Sequence, residues 1–233
     1  MFMPFYFDWT FILVIFGLVL SGLASAYVNS TFRKYDQYGS QKGITATDAA
    51  QYILQEAGIH DVQIQQISGN LTDNYNSQNK MLSLSEATAN STSVAAIGVA
   101  AHEVGHAIQD HTGYAPLKLR AGLVPLANIG TSVSFPLILV GVLLSWNQTL
   151  INIGILAFSL ALLFQLVTLP VEFNASIRAV RILSSGPLLN SDEVPMVKKV
   201  LTAAALTYVA AALSTFLQLL RLILLFGNNR NDN

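Results

Sequence analysis

Four long apolar stretches constrain this chain more than any other feature of its sequence. They cover about residues 9–28, 122–145, 150–169 and 203–226. A helix needs roughly 20 apolar residues to cross the hydrocarbon core of a bilayer. Only the last stretch carries a charge, Arg221, which lies near its end and can extend toward the lipid headgroups. Buried helices of a soluble protein are the alternative, but charge-free runs of this length favour four membrane spans.

The composition agrees with a membrane protein. Hydrophobic residues make up 52% of the 233 residues and charged residues 11%, about half the charged fraction of a typical soluble protein. The net charge is −1, so no nucleic-acid partner is expected. The chain has no cysteine, which excludes disulfides and thiolate metal sites. Histidines and carboxylates remain as candidate metal ligands.

The first apolar stretch is predicted to be an uncleaved membrane anchor. Ala24-Ser25-Ala26 has the small residues of a signal-peptidase site. However, residues 1–8 contain no Lys or Arg, whereas a secretory signal begins with a positively charged region.

The basic residues predict the orientation of the chain. Ten of the twelve lie in or next to two hydrophilic segments, about residues 29–119 and 170–202, and the short loop of residues 146–149 has none. The ten are Arg33, Lys34, Lys42, Lys80, Lys118, Arg120, Arg178, Arg181, Lys198 and Lys199. Basic residues favour the cytoplasmic side of a membrane. Both hydrophilic segments are therefore predicted to be cytoplasmic, and the N-terminus external.

The first hydrophilic segment is predicted to contain helices and a small β element. Helical periodicity runs over residues 46–57, with Thr45 or Thr47 as cap and Gly58 at the end. Alternating patterns predict strands over residues 62–67 and 81–85. A long, apolar and therefore buried helix is predicted over residues 93–110, capped by Ser91 or Thr92. The expected fold class is mainly α with a small β element, in one membrane-embedded domain over residues 1–233.

A histidine pair lies within the last of these helices. The sequence His102-Glu103-Val104-Gly105-His106 has the pattern H-E-x-x-H, and residues four apart lie on the same helix face. The two imidazoles can converge on one zinc ion at about 2 Å per bond. Glu103 is rotated about 100° around the helix axis, which predicts a base beside the metal. The alternative is two core or capping histidines with an ion-paired glutamate.

A peptidase zinc site needs a third protein ligand and an open position. Glu172 is the candidate, since it follows Pro170 at the start of a helix predicted after the third apolar stretch. Stretches two and three form a hairpin, which returns the chain to the membrane surface that it left. The alternative is a glutamate stabilised only by the helix N-terminus. His111 lies about 180° around the helix from His102, and His60 lies in a predicted turn, so neither is expected to bind metal.

These motifs resemble those of the bacterial membrane-bound neutral zinc metallopeptidase family. The resemblance begins at residues 102–106 and continues, after two apolar stretches, with residues 171–179 (VEFNASIRA). Residues 71–75 (LTDNY) and 203–211 (AAALTYVAA) also match, so nearly the whole chain is covered. The layout is also similar to the heat-shock and CAAX-processing membrane zinc proteases. In those enzymes a glutamate after a two-span hairpin is the third zinc ligand.

The resemblance implies a zincin-like catalytic part on the cytoplasmic side of the bacterial cytoplasmic membrane. One zinc ion per chain would be held by His102, His106 and Glu172. The wider group has Asp four residues after the ligand glutamate, where this chain has Ser176. Ser176 and Asn174 are therefore the candidates for orienting the ligands. The strand over residues 81–85 is similar in position to the edge strand that binds peptide in such enzymes, with an ordinary core strand as the alternative.

The predicted function is a zinc-dependent endopeptidase that acts on peptides or membrane proteins. Glu103 would pass a proton from the attacking water to the leaving amine. A non-catalytic zinc-binding membrane scaffold is the main alternative, although a purely structural zinc site has no use for Glu103. A transporter or channel is less compatible with the sequence, because stretches two and three lack the ionisable residues of an ion path.

Overall fold

The computed structural model describes residues 8–227 of the chain. Most of these residues are helical, with one small sheet, which confirms the predicted fold class. Residues 1–7, on which most of the signal-peptide argument rests, lie outside the described residues. The elements are α1 (Phe11–Asp36), α2 (Ala46–Glu56), β1 (Gln63–Ile67), β2 (Asn74–Asn76), β3 (Met81–Ser85), α3 (Glu86–Ala89), α4 (Val94–His111), α5 (Ala115–Leu143), α6 (Gln148–Ser185) and α7 (Val194–Phe226).

Four of the helices, α1, α5, α6 and α7, are long and apolar enough to cross a membrane. The described residues form two compact units. The apolar unit comprises residues 8–24, 119–168 and 208–227. The site unit comprises residues 25–118 and 169–207. Helices α1, α6 and α7 each contribute residues to both units.

Within the apolar unit, α5 and α6 pack closely. A Cβ atom built on Gly154 of α6 would lie 2.8 Å from the carbonyl oxygen of Ser134 on α5. Small residues permit this approach between helices in lipid, where close packing replaces the hydrophobic effect as the driving force. Arg221, predicted to extend toward the headgroups, pairs with Asp8 of the same unit at 3.1 Å.

The helix predicted to begin near Pro170 does not begin there. Helix α6 continues without a break from Gln148 to Ser185, with Pro170 in its interior. A proline removes one backbone hydrogen bond from a helix. Ending the helix at the edge of an apolar segment would leave several backbone groups without partners. The continuous helix is therefore the less costly arrangement, and it places Glu172 in the middle of a helix.

The sheet of the site unit has the strand order β1-β3-β2. Strand β3 pairs in parallel with β1 and antiparallel with β2. It is thus the central strand, and the hypothesis that it is a free edge for peptide is wrong. Leu82 and Leu84 of β3 are fully buried, because the apolar side chains of this strand pack into the core.

The core of the site unit surrounds α4. Side chains of α2, β3, α6 and α7 belong to the same apolar cluster as those of α4. Helix α2 has a capping box between Thr45 and Asp48, and Gly58 follows it with a φ of +69°. Helix α4 is capped by Ser93, not by Ser91 or Thr92, because the Ser93 hydroxyl accepts from the Ala96 N–H. Ser93 also donates to Asp36 at 2.7 Å, which joins the start of α4 to α1.

Candidate metal centre

The H-E-x-x-H histidines lie on α4 and face α6. His106 is buried, and the side chain of His102 is 12% exposed. The spacing of four residues places both rings on one helix face, and their centroids are 4.8 Å apart. The side chain of Glu172, which is 2% exposed, projects from α6 toward both rings. The structure thus brings together the three residues that the sequence suggested as ligands.

The distances among these three side chains suit a metal ion. Glu172 Oε2 lies 3.2 Å from His102 Nε2 and 3.5 Å from His106 Nε2. One potential ligand atom from each residue lies within 4.8 Å of the others. Two ligands bound to zinc at about 2.1 Å, at the tetrahedral angle, are about 3.4 Å apart. The two nitrogens and the carboxylate oxygen therefore fit the separation and the ligand chemistry that zinc requires.

Glu103 lies next to this group on α4 and is partly buried. It is not among the three residues whose ligand atoms cluster, as its rotation around the helix axis predicts. Burial raises the pKa of the Glu103 carboxyl, and electrostatic interactions with His102 and His106 oppose that rise. A carboxylate with a raised pKa accepts protons more readily than an exposed glutamate does.

A chain of hydrogen bonds behind His106 determines which nitrogen of its ring carries the proton. The Gln109 amide nitrogen donates to the carbonyl oxygen of Val171 at 2.8 Å and to Asn174 Oδ1 at 3.0 Å. A backbone carbonyl is only an acceptor, so this contact establishes which end of the amide is the NH₂ group. Gln109 Oε1 consequently faces His106 Nδ1, at 3.0 Å.

This orientation sets the tautomer of His106. Because Gln109 Oε1 can only accept, Nδ1 of His106 must carry the proton. A neutral ring then has its lone pair on Nε2, the nitrogen that faces Glu172. Arg178 extends the chain by donating from Nε to Asn174 Oδ1 at 2.8 Å. Arginine is only a donor, so it holds the Asn174 oxygen toward Gln109.

The other histidine has a simpler partner. Ser176 Oγ lies 3.1 Å from His102 Nδ1, as the sequence suggested for a residue four positions after Glu172. A hydroxyl can either donate or accept, so Ser176 orients the ring without fixing its tautomer. Both ring nitrogens that face away from Glu172 are therefore held by uncharged groups, Ser176 and Gln109.

A glycine allows α4 and α6 to approach each other at the site. A Cβ atom built on Gly105 would lie 2.7 Å from the carbonyl oxygen of Ala175 on α6. That distance is too short for any other side chain without a shift of one helix. Gly105 lies between Glu103 and His106 in sequence, and Ala175 lies three residues after Glu172. The close approach therefore occurs where the three candidate ligands face one another.

Two other histidines, and two residues of the segment 71–75, lie elsewhere in the site unit. His111 and His60 are exposed, as expected for residues that do not bind metal. Asp73 accepts from the Ser85 N–H at 2.8 Å and contacts the hydroxyls of Ser85 and Thr88, which fixes the end of β3. Tyr75 donates to Asp110 at 2.8 Å, which joins β2 to the last turn of α4.

Sequence reasoning missed Gln109 and Arg178. Gln109 lies three residues after His106, so helical spacing alone predicts that the two share a face. A polar residue on the apolar helix α4 was the available signal, since a buried amide must find partners. Arg178 offered no local signal, because its relation to His106 passes through Asn174 and Gln109.

Comparisons with known proteins place the chain in a protein family. Residues 10–227 match the model of the family described as "Putative neutral zinc metallopeptidase". The chain is 43% identical over 221 residues to the "Putative membrane protease YugP" of Bacillus subtilis (strain 168), covering 95% of this chain and 98% of that protein. No solved structure matches the chain. This chain therefore belongs to the neutral zinc metallopeptidase family that its sequence motifs resemble.

Proposed function

We propose that this chain is a zinc-dependent membrane endopeptidase. The observation that carries the proposal is the convergence of His102, His106 and Glu172 from two helices. The Glu103 carboxyl is close enough to interact electrostatically with all three. Three protein ligands leave one position of a tetrahedral zinc site open for water or substrate. The family and the relative's description as a membrane protease support the same activity.

In the proposed reaction, some residues hold the zinc ion and another residue transfers protons. Zinc held by His102, His106 and Glu172 would polarise the peptide carbonyl and make water more acidic. Glu103 accepts a proton from the attacking water, which its raised pKa favours. It then donates that proton to the leaving amine nitrogen as the C–N bond breaks. Gln109 and Ser176 keep the two imidazoles oriented throughout.

The substrates are proposed to be peptides or membrane proteins cleaved on the cytoplasmic side of the bacterial membrane. This side follows from the ten basic residues in or next to the hydrophilic segments. Residues of both segments, 29–119 and 170–202, contribute to the site.

A non-catalytic zinc scaffold is the second candidate. A structural zinc site is usually closed by four protein ligands. Among the residues that the structure describes, the cluster that could hold a metal has three members. The adjacent partly buried Glu103 costs stability through desolvation and has no purpose in a purely structural site. Both observations favour the peptidase.

The experiment that tests the proposal separates the roles of the two glutamates. Glu103→Gln preserves the side-chain volume and all three proposed ligands, so zinc content and folding should remain at the wild-type level. Peptide hydrolysis should fall by about 10²–10⁴-fold, the usual effect of losing a general base. Purified protein should be compared by elemental analysis, circular dichroism and cleavage of a peptide mixture.

Glu172→Gln is the matched comparison, because it makes the same chemical change at a proposed ligand. Its zinc content should fall, since a neutral amide is a poorer ligand than a carboxylate. Wild-type cleavage by Glu103→Gln would refute the mechanism. Loss of zinc in Glu103→Gln, with zinc retained in Glu172→Gln, would mean that the two glutamates have exchanged roles.

A further inference from the structure

Helices α6 and α7 border an elongated groove of about 680 Å³ within the site unit. One wall is a stripe of α6 residues at helical spacing, and the other is a stripe of α7 residues. The α6 wall consists of Phe173, Ser176, Ile177, Val180, Arg181 and Ser184, and the α7 wall of Lys198, Leu201, Thr202 and Ala205.

The polarity of the groove changes from one end to the other. The short connection of residues 186–193 makes the two helices antiparallel, so Arg181 near the end of α6 lies toward the beginning of α7, where Lys198 is. The opposite end is formed by Phe173 and Ala205. At a rise of 1.5 Å per residue, the Phe173 end and the Arg181 end are about 12 Å apart. The groove therefore has two cations at one end and an apolar surface at the other.

The apolar end adjoins the membrane-spanning sequence. Phe173 follows the third apolar stretch by four residues, and Ala205 lies within the fourth. Phe173 is 40% exposed and Ile177 is 56% exposed. Aliphatic and aromatic surface of this kind is unfavourable in water and marks a contact with lipid or another apolar group.

The cationic end is not neutralised by any acidic side chain in the described part of the chain. Among the residues that the structure describes, no carboxylate lies within salt-bridge distance of Arg181 or Lys198. The groove lining contains no Asp or Glu either. Both side chains are exposed, so their charge is available to an anion.

We propose that this groove binds one anionic phospholipid of the bilayer. The headgroup phosphate would lie between Arg181 and Lys198, and an acyl chain would lie along Ile177 and Phe173. A guanidinium and an ammonium are the groups that proteins use for phosphate, and basic pockets between membrane helices bind anionic headgroups. The order of polarity, with charge at one end and hydrocarbon at the other, is that of a phospholipid. A soluble anion would leave the apolar end uncovered.

Occupation of the groove would also act on the metal centre. Ser176 lines the groove, and its hydroxyl lies 3.1 Å from His102 Nδ1. A lipid bound there holds the segment of α6 that carries Glu172 and Ser176. A ligand that binds only the folded state raises the apparent unfolding temperature, so the lipid should stabilise the protein thermally.

Native mass spectrometry of the full chain tests this site. The protein, purified in detergent, would be titrated with phosphatidylglycerol or with phosphatidylcholine of the same acyl chains. We expect one phosphatidylglycerol to be retained per chain, a higher unfolding temperature with that lipid, and no retention of phosphatidylcholine. Arg181→Glu/Lys198→Glu should weaken the binding by at least roughly 30-fold, because each lost cation removes a factor of about five and the new carboxylates repel the headgroup.

Three controls keep the test decisive. Arg33→Glu/Lys42→Glu makes the same change of charge at exposed residues outside the groove and should retain the lipid. Ala205→Trp fills the apolar end without altering charge and should also lose the lipid, even if the charge-reversed variant folds poorly. Free glycerol phosphate should not displace the lipid. Equal retention of both lipids, equal behaviour of the two charge-reversed variants, or displacement of the lipid by a soluble acidic peptide would overturn the proposal.

Discussion

At the scale of single residues, the candidate site depends on groups outside the proposed set of ligands. Gln109 is fully buried and uses both ends of its amide. Its oxygen selects the His106 tautomer that presents a lone pair toward Glu172. Its nitrogen is satisfied by Val171 and Asn174, so rotation of the amide would cost two hydrogen bonds. Metal affinity in such sites depends on these outer partners as well as on the ligands.

Replacing Gln109 by Leu tests this dependence. The change removes the acceptor for His106 Nδ1 while keeping a side chain of similar size in the core. Zinc affinity should fall by about 10–100-fold, the usual effect of losing a partner that orients a metal ligand. Competition with a chromogenic chelator would measure it.

Gln78→Leu is the matched control, since the Gln78 side chain is exposed. This substitution should leave zinc affinity unchanged. Gln109→Glu retains the acceptor and should preserve more of the affinity than Gln109→Leu does. Wild-type zinc affinity in Gln109→Leu would contradict the orienting role.

At the scale of secondary structure, the distance between α4 and α6 decides whether three ligands can meet. The two helices belong to parts of the chain about 70 residues apart, as the His102–Glu172 contact illustrates. Gly105 permits a close approach, because its missing Cβ leaves room for the backbone of α6 at Ala175. An alanine at that position would favour the helix locally by up to about 1 kcal/mol.

Gly105→Ala should nevertheless destabilise the protein. Its Cβ would meet a backbone carbonyl at 2.7 Å, and overpacking of this kind typically costs about 1–3 kcal/mol. The shift of α6 should also move Glu172 away from the histidines. We expect a lower unfolding temperature in a thermal scan and reduced zinc content in the same preparation.

Gly122→Ala provides the control for the helix effect. Gly122 lies in α5, and nothing would lie within 4 Å of an added Cβ atom there. Its stability should stay the same or rise slightly. If Gly105→Ala were as stable and as rich in zinc as Gly122→Ala, the close approach of α4 and α6 would not matter for the site.

At the scale of the whole molecule, the chain combines four apolar helices with one buried polar site. The helices satisfy their backbone groups internally, which a bilayer requires. The basic residues in or next to the hydrophilic segments predict which side of the membrane the site faces, and that prediction can be tested independently of catalysis.

Reporter fusions would establish the orientation. A reporter inserted near Lys42 should behave as cytoplasmic, and one inserted in the loop of residues 146–149 as external, because basic residues are retained on the cytoplasmic side. Alkaline phosphatase and green fluorescent protein, which are active on opposite sides, would provide complementary readings. The reverse pattern would place the site outside the cytoplasm and revive the cleaved-signal interpretation of the first apolar stretch.

The sequence by itself determined the features that arise from local patterns. Long charge-free runs specify membrane-length helices because lipid leaves few other structures possible. The spacing of His102 and His106 specifies a shared helix face because the helical repeat is fixed. The hairpin of the second and third apolar stretches selected Glu172, and the resemblance to a known family selected Ser176, although the start of their helix was placed at Pro170.

Only the tertiary structure decided how these elements meet. Strand β3 is central because β1 and β2 occupy both its sides, and a single strand's pattern does not reveal its neighbours. Gln109 contacts Val171 across 62 positions of sequence, and Arg178 influences His106 through two intervening side chains. Such contacts depend on where α4 and α6 pack. That arrangement results from burial of the whole core, which no local periodicity encodes.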